Sequence, residues 1–219
     1  MKTVLITGAS GCLGHHLVNA CIKRGDTMVK AVLGRSEDKM NQLPTSSNLV
    51  VYPATAMFNT DFGHIDTLIH TAFSRGDDLR GLTNSIDLME HIIEMVNSTD
   101  VESIINISSQ GVYKGKKPGE MVNEAGVIEP NTAYGLAKWA VENMLKVGCK
   151  KHYTNIRMAS LSANARFLVF FVDCVMAGKG RSGHVTPQYL KLRDPTVLER
   201  AYWNTVKLLD DEVVIEREE

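Results

Sequence analysis

The sequence predicts an α/β fold with a doubly wound parallel sheet, and three observations support that prediction. Short apolar runs rich in β-branched residues alternate with segments of helical periodicity, as in a parallel sheet covered by helices on both faces. A glycine-rich turn, Thr7–Gly14, connects the first apolar run to the first helical segment. Apolar residues make up 44% of the 219 residues, which is enough for a large core. The alternation predicts strands near residues 2–7, 28–33, 48–52, 66–71, 102–107 and 153–157, and helices near residues 12–24, 36–42, 79–97 and 131–147.

The glycine-rich turn lies between a buried strand and a helix, which is the context that a dinucleotide-binding fingerprint requires. Gly8 permits a tight turn, Gly11 lets the backbone approach a pyrophosphate, and Gly14 lets helix and strand pack closely. The helix N-terminus then offers N–H groups and a partial positive charge to the phosphates. The spacing G-x-x-G-x-x-G is a weak signal alone, but its context favours a Rossmann-like cofactor site over a merely structural turn.

A tyrosine and a lysine four residues apart, Tyr134 and Lys138, lie in a segment with the apolar pattern of a helix packed on the sheet. Residues at this spacing share one helix face. A free tyrosine has a pKa near ~10, and a neighbouring ammonium lowers that pKa, so the pair could supply an acid/base. The alternative is an ordinary surface tyrosine beside a solvated lysine.

Ser109 follows the predicted strand Val101–Ile107. Ligands of open α/β sheets bind outside the carboxyl ends of the strands, so this position favours a role in a site. The alternative is a hydroxyl that bonds its own backbone in a turn.

Together these features resemble the short-chain dehydrogenase/reductase superfamily, in its extended branch, the NAD(P)-dependent epimerases and dehydratases of nucleotide sugars. The resemblance covers Met1 to about Arg157. It rests on Thr7-Gly-x-x-Gly-x-x-Gly14, His70-Thr-Ala72, Asn84, Ser108-Ser-Gln-Gly-Val-Tyr113, Glu124, Pro130, Tyr134-Gly-x-x-Lys138 and Glu142.

The resemblance implies that Tyr134 is the general acid/base, that Lys138 lowers its pKa and holds the nicotinamide ribose, and that Ser109 hydrogen-bonds the reacting oxygen. It also implies a dinucleotide-binding domain over residues 1–157 and a reduced C-terminal substrate lobe over residues 158–219. The residues expected to contact the cofactor are Gly8, Ser10, Gly11, Cys12, Leu13, Gly14, Arg35, Ser36, Thr71, Ala72, Asn84, Ile107, Tyr134 and Lys138.

The cofactor is expected to be NADP, with NAD as the alternative. Relatives that bind NAD usually place an acid at the end of the second strand to accept bonds from the ribose hydroxyls. Here Gly34 takes that position and is followed by Arg35 and Ser36, and a guanidinium attracts a 2′-phosphate. Arg35 could instead stack on the adenine, which would leave the choice open.

The C-terminal part departs from the family, because the expected substrate lobe is short. Helices are predicted at residues 167–177 and 195–209, and Arg157, Arg166 and Arg181 are generic candidates for binding a substrate phosphate. Three function classes stay open: an epimerase or dehydratase of nucleotide sugars, an NADPH-dependent ketone or aldehyde reductase, and a non-catalytic NADP-binding regulator.

The composition and charge of the chain argue against several classes of binding partner. A net charge of −1 argues against nucleic acid, and no apolar run approaches a membrane span. The four cysteines show no metal-ligand spacing, so no metal site is predicted and a reducing cytoplasm is expected. A small-molecule substrate is the expected ligand.

A homodimer is also expected, because Met89, Ile92, Ile93 and Trp139 give two helices more apolar residues than one buried face requires.

Overall fold

The computed structural model describes residues 1–34, 43–74, 78–113 and 126–158. The helix predicted at residues 36–42 and both C-terminal helices lie outside the described residues, as does nearly all of the predicted substrate lobe. In the described part of the chain, no helix is long and apolar enough to cross a membrane.

In the residues that the structure describes, six parallel strands form one sheet in the order β3-β2-β1-β4-β5-β6. This is the strand order of a Rossmann fold, so the predicted fold class is confirmed. The strands are β1 Lys2–Thr7, β2 Thr27–Val32, β3 Leu49–Tyr52, β4 Ile65–His70, β5 Val101–Ser109 and β6 His152–Met158. The helices are α1 Cys12–Arg24, α2 Leu79–Ser98 and α3 Ala133–Gly148, and short 3-10 turns cover Ala54–Phe58 and Gln110–Val112.

The core has two layers, one on each face of the sheet. Along β1, Val4 and Ile6 pack towards α1, whereas Leu5 between them packs with α2 and α3. This alternation follows from the two-residue period of a strand, and it explains why the buried strands are continuous apolar runs.

Side-chain caps fix where α2 and α3 begin. Asp78 accepts a hydrogen bond from Gly81 N at the start of α2, and Thr132 accepts one from Gly135 N at the start of α3. Each cap satisfies a backbone donor that has no partner within the helix. The Thr132 cap therefore places Tyr134 in the first turn of α3 and Lys138 one turn later.

Most of the apolar surplus that suggested a dimer is buried within one chain. Met89 and Ile92 are fully buried and Ile93 is 8% exposed, all in the layer that α2 and α3 share with the sheet. The expectation that these three residues form a second exposed face is therefore wrong. On α3, Leu136 and Trp139 remain exposed.

Candidate active site

The glycine-rich turn depends on the absence of side chains. Gly8 has φ of 71°, and a Cβ there would lie 2.8 Å from the backbone nitrogen of Ala72. A Cβ on Gly14 would overlap the carbonyl oxygen of Gly8. The tight turn and the close approach of helix to strand are therefore confirmed as the roles of Gly8 and Gly14.

Hydrogen bonds tie this turn to the ends of two neighbouring strands. Ala9 N donates to Val32 O (2.9 Å), and Gly34 N donates to Ser10 Oγ (2.8 Å), so the turn is held against the end of β2. On the other side, Thr71 Oγ1 donates to Thr7 O (2.6 Å) beyond the end of β4. The carboxyl ends of β1, β2 and β4 thus form one rigid floor.

A cleft of about 570 Å³ opens above this floor, at the point where the strand order reverses between β1 and β4. Such a switch point is where α/β sheets of this kind bind ligands. Eight of the predicted cofactor residues line it: Gly8, Ser10, Gly11, Leu13, Gly14, Thr71, Ala72 and Asn84. The sequence arguments did not single out Met57, Phe73, Ser85 and Leu88, which also line it.

The structure fits a pyrophosphate in this cleft. Gly11 caps α1 with no side-chain hydrogen bond, so the N–H groups of the first helical turn are not taken by a cap. The first turn of α1 also contains no acidic residue that would repel a phosphate. The side chain of Cys12, together with Arg35 and Ser36, lies outside what the structure describes.

Lys138 is buried beside the end of β5. Its side chain points into the protein, with the residue only 3% exposed, and Nζ donates to the carbonyl oxygen of Ile107 at 2.8 Å. The alternative of a solvated lysine is therefore wrong. Tyr134, one turn earlier on the same helix, is half-buried, and the Lys138 ammonium lies 5.8 Å from the centroid of its ring.

Ser109 ends β5 and begins the 3-10 turn. Its Oγ accepts a hydrogen bond from Gly111 N at 3.1 Å, so the turn-forming role does occur. A serine hydroxyl that accepts one bond can still donate another, so this contact leaves the catalytic role open. Gly111 packs against Gly135, where a Cβ would overlap the Gly111 carbonyl. This close contact brings the segment after Ser109 against the first turn of α3, next to Tyr134.

A buried ion pair anchors α3 one turn beyond Lys138. Arg157 Nη2 and Glu142 Oε2 are 2.6 Å apart, and Ser108 Oγ donates to Glu142 Oε1 at 2.5 Å. Arg157 also donates to Tyr113 Oη at 2.9 Å. Burial alone lowers the pKa of the Arg157 guanidinium, but its bonds to Glu142 outweigh that effect and the pKa is raised. Arg157, proposed from sequence as a phosphate binder, instead joins the helix to β5, β6 and the turn.

A row of polar side chains runs across the sheet beneath α3. Thr7, His70, Asn106 and Asn155 are paired in register on four adjacent strands. Thr7 Oγ1 and His70 Nδ1 are 2.8 Å apart, and Asn106 Nδ2 donates to Asn155 Oδ1 at 2.8 Å. Complete burial, assisted by the charge of Lys138, lowers the pKa of His70 to about 3. His70 is therefore neutral at physiological pH.

Residues 4–190 match the model of the NAD dependent epimerase/dehydratase family. The chain belongs to this family. That membership agrees with the sheet order, the glycine-rich turn at the switch point and the Tyr134–Lys138 spacing on α3.

Proteins named as UDP-sugar 4-epimerases are similar to this chain at low sequence identity. A provisionally named UDP-glucose 4-epimerase of Methanocaldococcus jannaschii is 24% identical over 162 residues, which are 66% of this chain and 50% of that protein. The structure of UDP-glucuronic acid 4-epimerase from Bacillus cereus with NAD superposes with a TM-score of 0.62 at 21% identity, over 73% of this chain and 56% of that one. UDP-N-acetylglucosamine 4-epimerase from Methanobrevibacter ruminantium M1 gives a TM-score of 0.62 at 24% identity, over 81% and 63%.

The chain therefore spans about half the length of the curated relative that it matches. The family model is that of an NAD-dependent family, and the Bacillus cereus structure contains NAD. The expected preference for NADP gains no support from these comparisons.

Proposed function

We propose that this protein is an epimerase or dehydratase that acts on a nucleotide-activated sugar with a bound nicotinamide dinucleotide. The observation that supports this most directly is the buried Lys138, one helical turn from Tyr134 and close to the Rossmann cleft. An ammonium is costly to bury, and such groups in proteins usually serve a partner or a reaction. Relatives named as UDP-sugar 4-epimerases share the fold and the family.

When bound, the dinucleotide supplies a hydride acceptor at its nicotinamide ring. In the proposed reaction, Tyr134 in its phenolate form takes the proton from a sugar hydroxyl while the attached carbon is oxidised. Lys138 favours the phenolate and holds the nicotinamide ribose, and Ser109 donates a hydrogen bond to the reacting oxygen. In an epimerase, Tyr134 returns the proton when the ketone is reduced again from its other face.

A reductase that uses NADPH is the second candidate, because Arg35, three residues after β2 in the sequence, favours NADP and the predicted substrate lobe is short. The two functions differ in cofactor release. An epimerase restores its cofactor in every cycle and retains it, whereas a reductase must exchange it. The third candidate, a non-catalytic regulator, does not account for a serine, tyrosine and lysine in the pattern of the catalytic family.

The experiment is a turnover assay on purified protein without added cofactor. We expect UDP-glucose, UDP-glucuronic acid or UDP-N-acetylglucosamine to be converted to its C4 epimer. Chromatography of the sugar nucleotides measures this conversion. Tyr134→Phe is the matched control, since it removes one hydroxyl. Conversion that requires stoichiometric NADPH, and yields a reduced product, would favour the reductase instead.

The cofactor and the assembly belong to the same proposal. NAD is the cofactor favoured by the family and by the solved structures, and Arg35 with Ser36 keeps NADP as the competing choice. We also propose a homodimer, supported by Leu136 and Trp139, which are exposed on α3. Light scattering at micromolar concentration tests this, and a mass near 24.2 kDa would exclude the dimer.

A further inference from the structure

Phe73 contacts both the dinucleotide cleft and the two predicted catalytic residues of α3. Its side chain lines the cleft, whereas Tyr134 and Lys138 are not among the residues that line it. The Lys138 ammonium lies 3.6 Å from the centroid of the Phe73 ring. The Phe73 and Tyr134 rings lie edge to face at 87°, with 5.7 Å between the ring centroids. Phe73 therefore connects the cleft to the acid/base pair.

The contact with Lys138 has the geometry of a cation–π interaction in a site shielded from water. An ammonium within about 6 Å of a ring centroid is attracted by the ring, and the attraction strengthens when water is excluded. Lys138 is 3% exposed, so the contact is of the desolvated kind. On another side, the same ammonium donates to Ile107 O. The ring and the carbonyl together fix the position of the ammonium between the cleft and β5.

The edge-on contact with Tyr134 places the second member of the pair against the same ring. Aromatic rings at this separation favour an edge-to-face arrangement, so the contact is an attractive one. A single side chain from the loop after β4 thus touches both residues that α3 supplies. This loop also carries Thr71 and Ala72, which line the cleft.

We infer that Phe73 is a positioning residue that holds the Lys138 ammonium ready to receive the nicotinamide ribose. The inference rests on the proposed function, because that function gives Lys138 its role at the ribose. A long, flexible lysine loses rotamer freedom when it is ordered, and a ring that orders it beforehand reduces this cost of binding. Phe73 thereby contributes to cofactor affinity through Lys138.

The test compares the binding of NAD and ADP by calorimetry, after any co-purified dinucleotide has been removed. ADP lacks the nicotinamide ribose, so it reports on the rest of the cleft. Phe73→Leu keeps an apolar side chain but removes the ring face, and Phe73→Tyr keeps the ring. Both changes are made in the wild type and in Lys138→Met, because a residue that acts through Lys138 has no effect once that ammonium is gone.

We expect Phe73→Leu to weaken NAD binding roughly 3- to 30-fold, the range that a cation–π contact accounts for. ADP binding should change by less than about twofold, and Phe73→Tyr should retain the wild-type affinity for NAD. In the Lys138→Met background, Phe73→Leu should leave NAD affinity nearly unchanged.

Four results would overturn the inference. Tighter NAD binding by Phe73→Leu would mean that the ring obstructs the ribose. An equal loss for NAD and ADP, or a loss that persists in Lys138→Met, would mean that Phe73 supports the cleft without acting through Lys138. Wild-type NAD affinity in Phe73→Leu would show that Phe73 does not contribute to NAD binding. Failure of the wild type to bind any nicotinamide dinucleotide would instead overturn the proposed function.

Discussion

The two halves of the site are built by different physical means. The cleft over β1, β2 and β4 depends on backbone shape, since Gly8 and Gly14 leave no room for a side chain. The other half, around α3, β5 and β6, depends on buried charge, with Lys138 and the Glu142–Arg157 pair beneath the helix. A shape-based site is damaged by added atoms, whereas a charge-based site is damaged by lost partners. The following predictions test this difference, from the largest expected effect to the smallest.

Tyr134→Phe should lower turnover by roughly 10²–10⁴-fold, the usual contribution of a positioned acid/base. Cofactor affinity should remain nearly intact, because the hydroxyl acts on the reacting group. Steady-state rates on the substrate found in the conversion assay measure turnover, and NAD titration measures cofactor affinity. Wild-type turnover in the mutant would show that Tyr134 is not the acid/base.

Glu142→Ala should destabilise the protein by about 3–5 kcal/mol, since it leaves the Arg157 guanidinium buried without its carboxylate partner. Glu142→Gln is the matched control, because an amide oxygen can still accept from Arg157 or Ser108. Urea unfolding at neutral pH measures both variants. A loss below about 1 kcal/mol for Glu142→Ala would show that water reaches the pair in solution.

Gly8→Ala and Gly25→Ala separate backbone strain from packing. Both glycines have positive φ, 71° and 76°, but a Cβ on Gly25 meets nothing within 4 Å. Gly25→Ala should therefore cost about 1 kcal/mol, whereas Gly8→Ala should cost about 2–4 kcal/mol because it also crowds Ala72. Gly8→Ala should weaken NAD binding as well, measured by titration. Equal costs for the two variants would contradict a shape-based cleft.

Arg35→Asp should weaken the binding of NADP relative to that of NAD by about 10- to 100-fold, because an attraction to the 2′-phosphate becomes a repulsion. Titration of both dinucleotides against both proteins measures the ratio. An effect of this size would show that charge also contributes to ligand binding on the shape-based side of the site. If the wild type already binds NAD more tightly, the expectation of NADP drawn from Arg35 is wrong.

His70 should make stability fall in acid. Its pKa in the folded protein is about 3, below the usual 6.5, so between these values the unfolded chain binds a proton that the folded protein does not. The contribution of His70 to the free energy of unfolding is thus complete above pH 6.5. It is lost as the pH falls towards 3, by at most about 1.4 kcal/mol per pH unit. His70→Asn can keep the bond to Thr7 without titrating. Its urea midpoint should vary less between pH 7.5 and 5 than that of the wild type.

The elements were predictable where local periodicity and tertiary burial agree. All six strands begin within one residue of their predicted positions, and β5 runs on to Ser109 because its last residues still pair with β6. The glycine roles were predictable because steric exclusion is a local property. The burial of Met89, Ile92 and Ile93 was not, because a helix does not reveal how many neighbours will cover it.

The sequence by itself determined the fold class, the turn that forms the floor of the cleft, and the spacing that puts Tyr134 and Lys138 on one helix face. These follow from backbone sterics and from the periods of strand and helix, which act over a few residues. The tertiary structure alone decided that Lys138 lies against Phe73 and Ile107, and that Arg157 is paired with Glu142. These partners come from different strands and loops, and a charge finds its buried partner only once the sheet has brought those segments together.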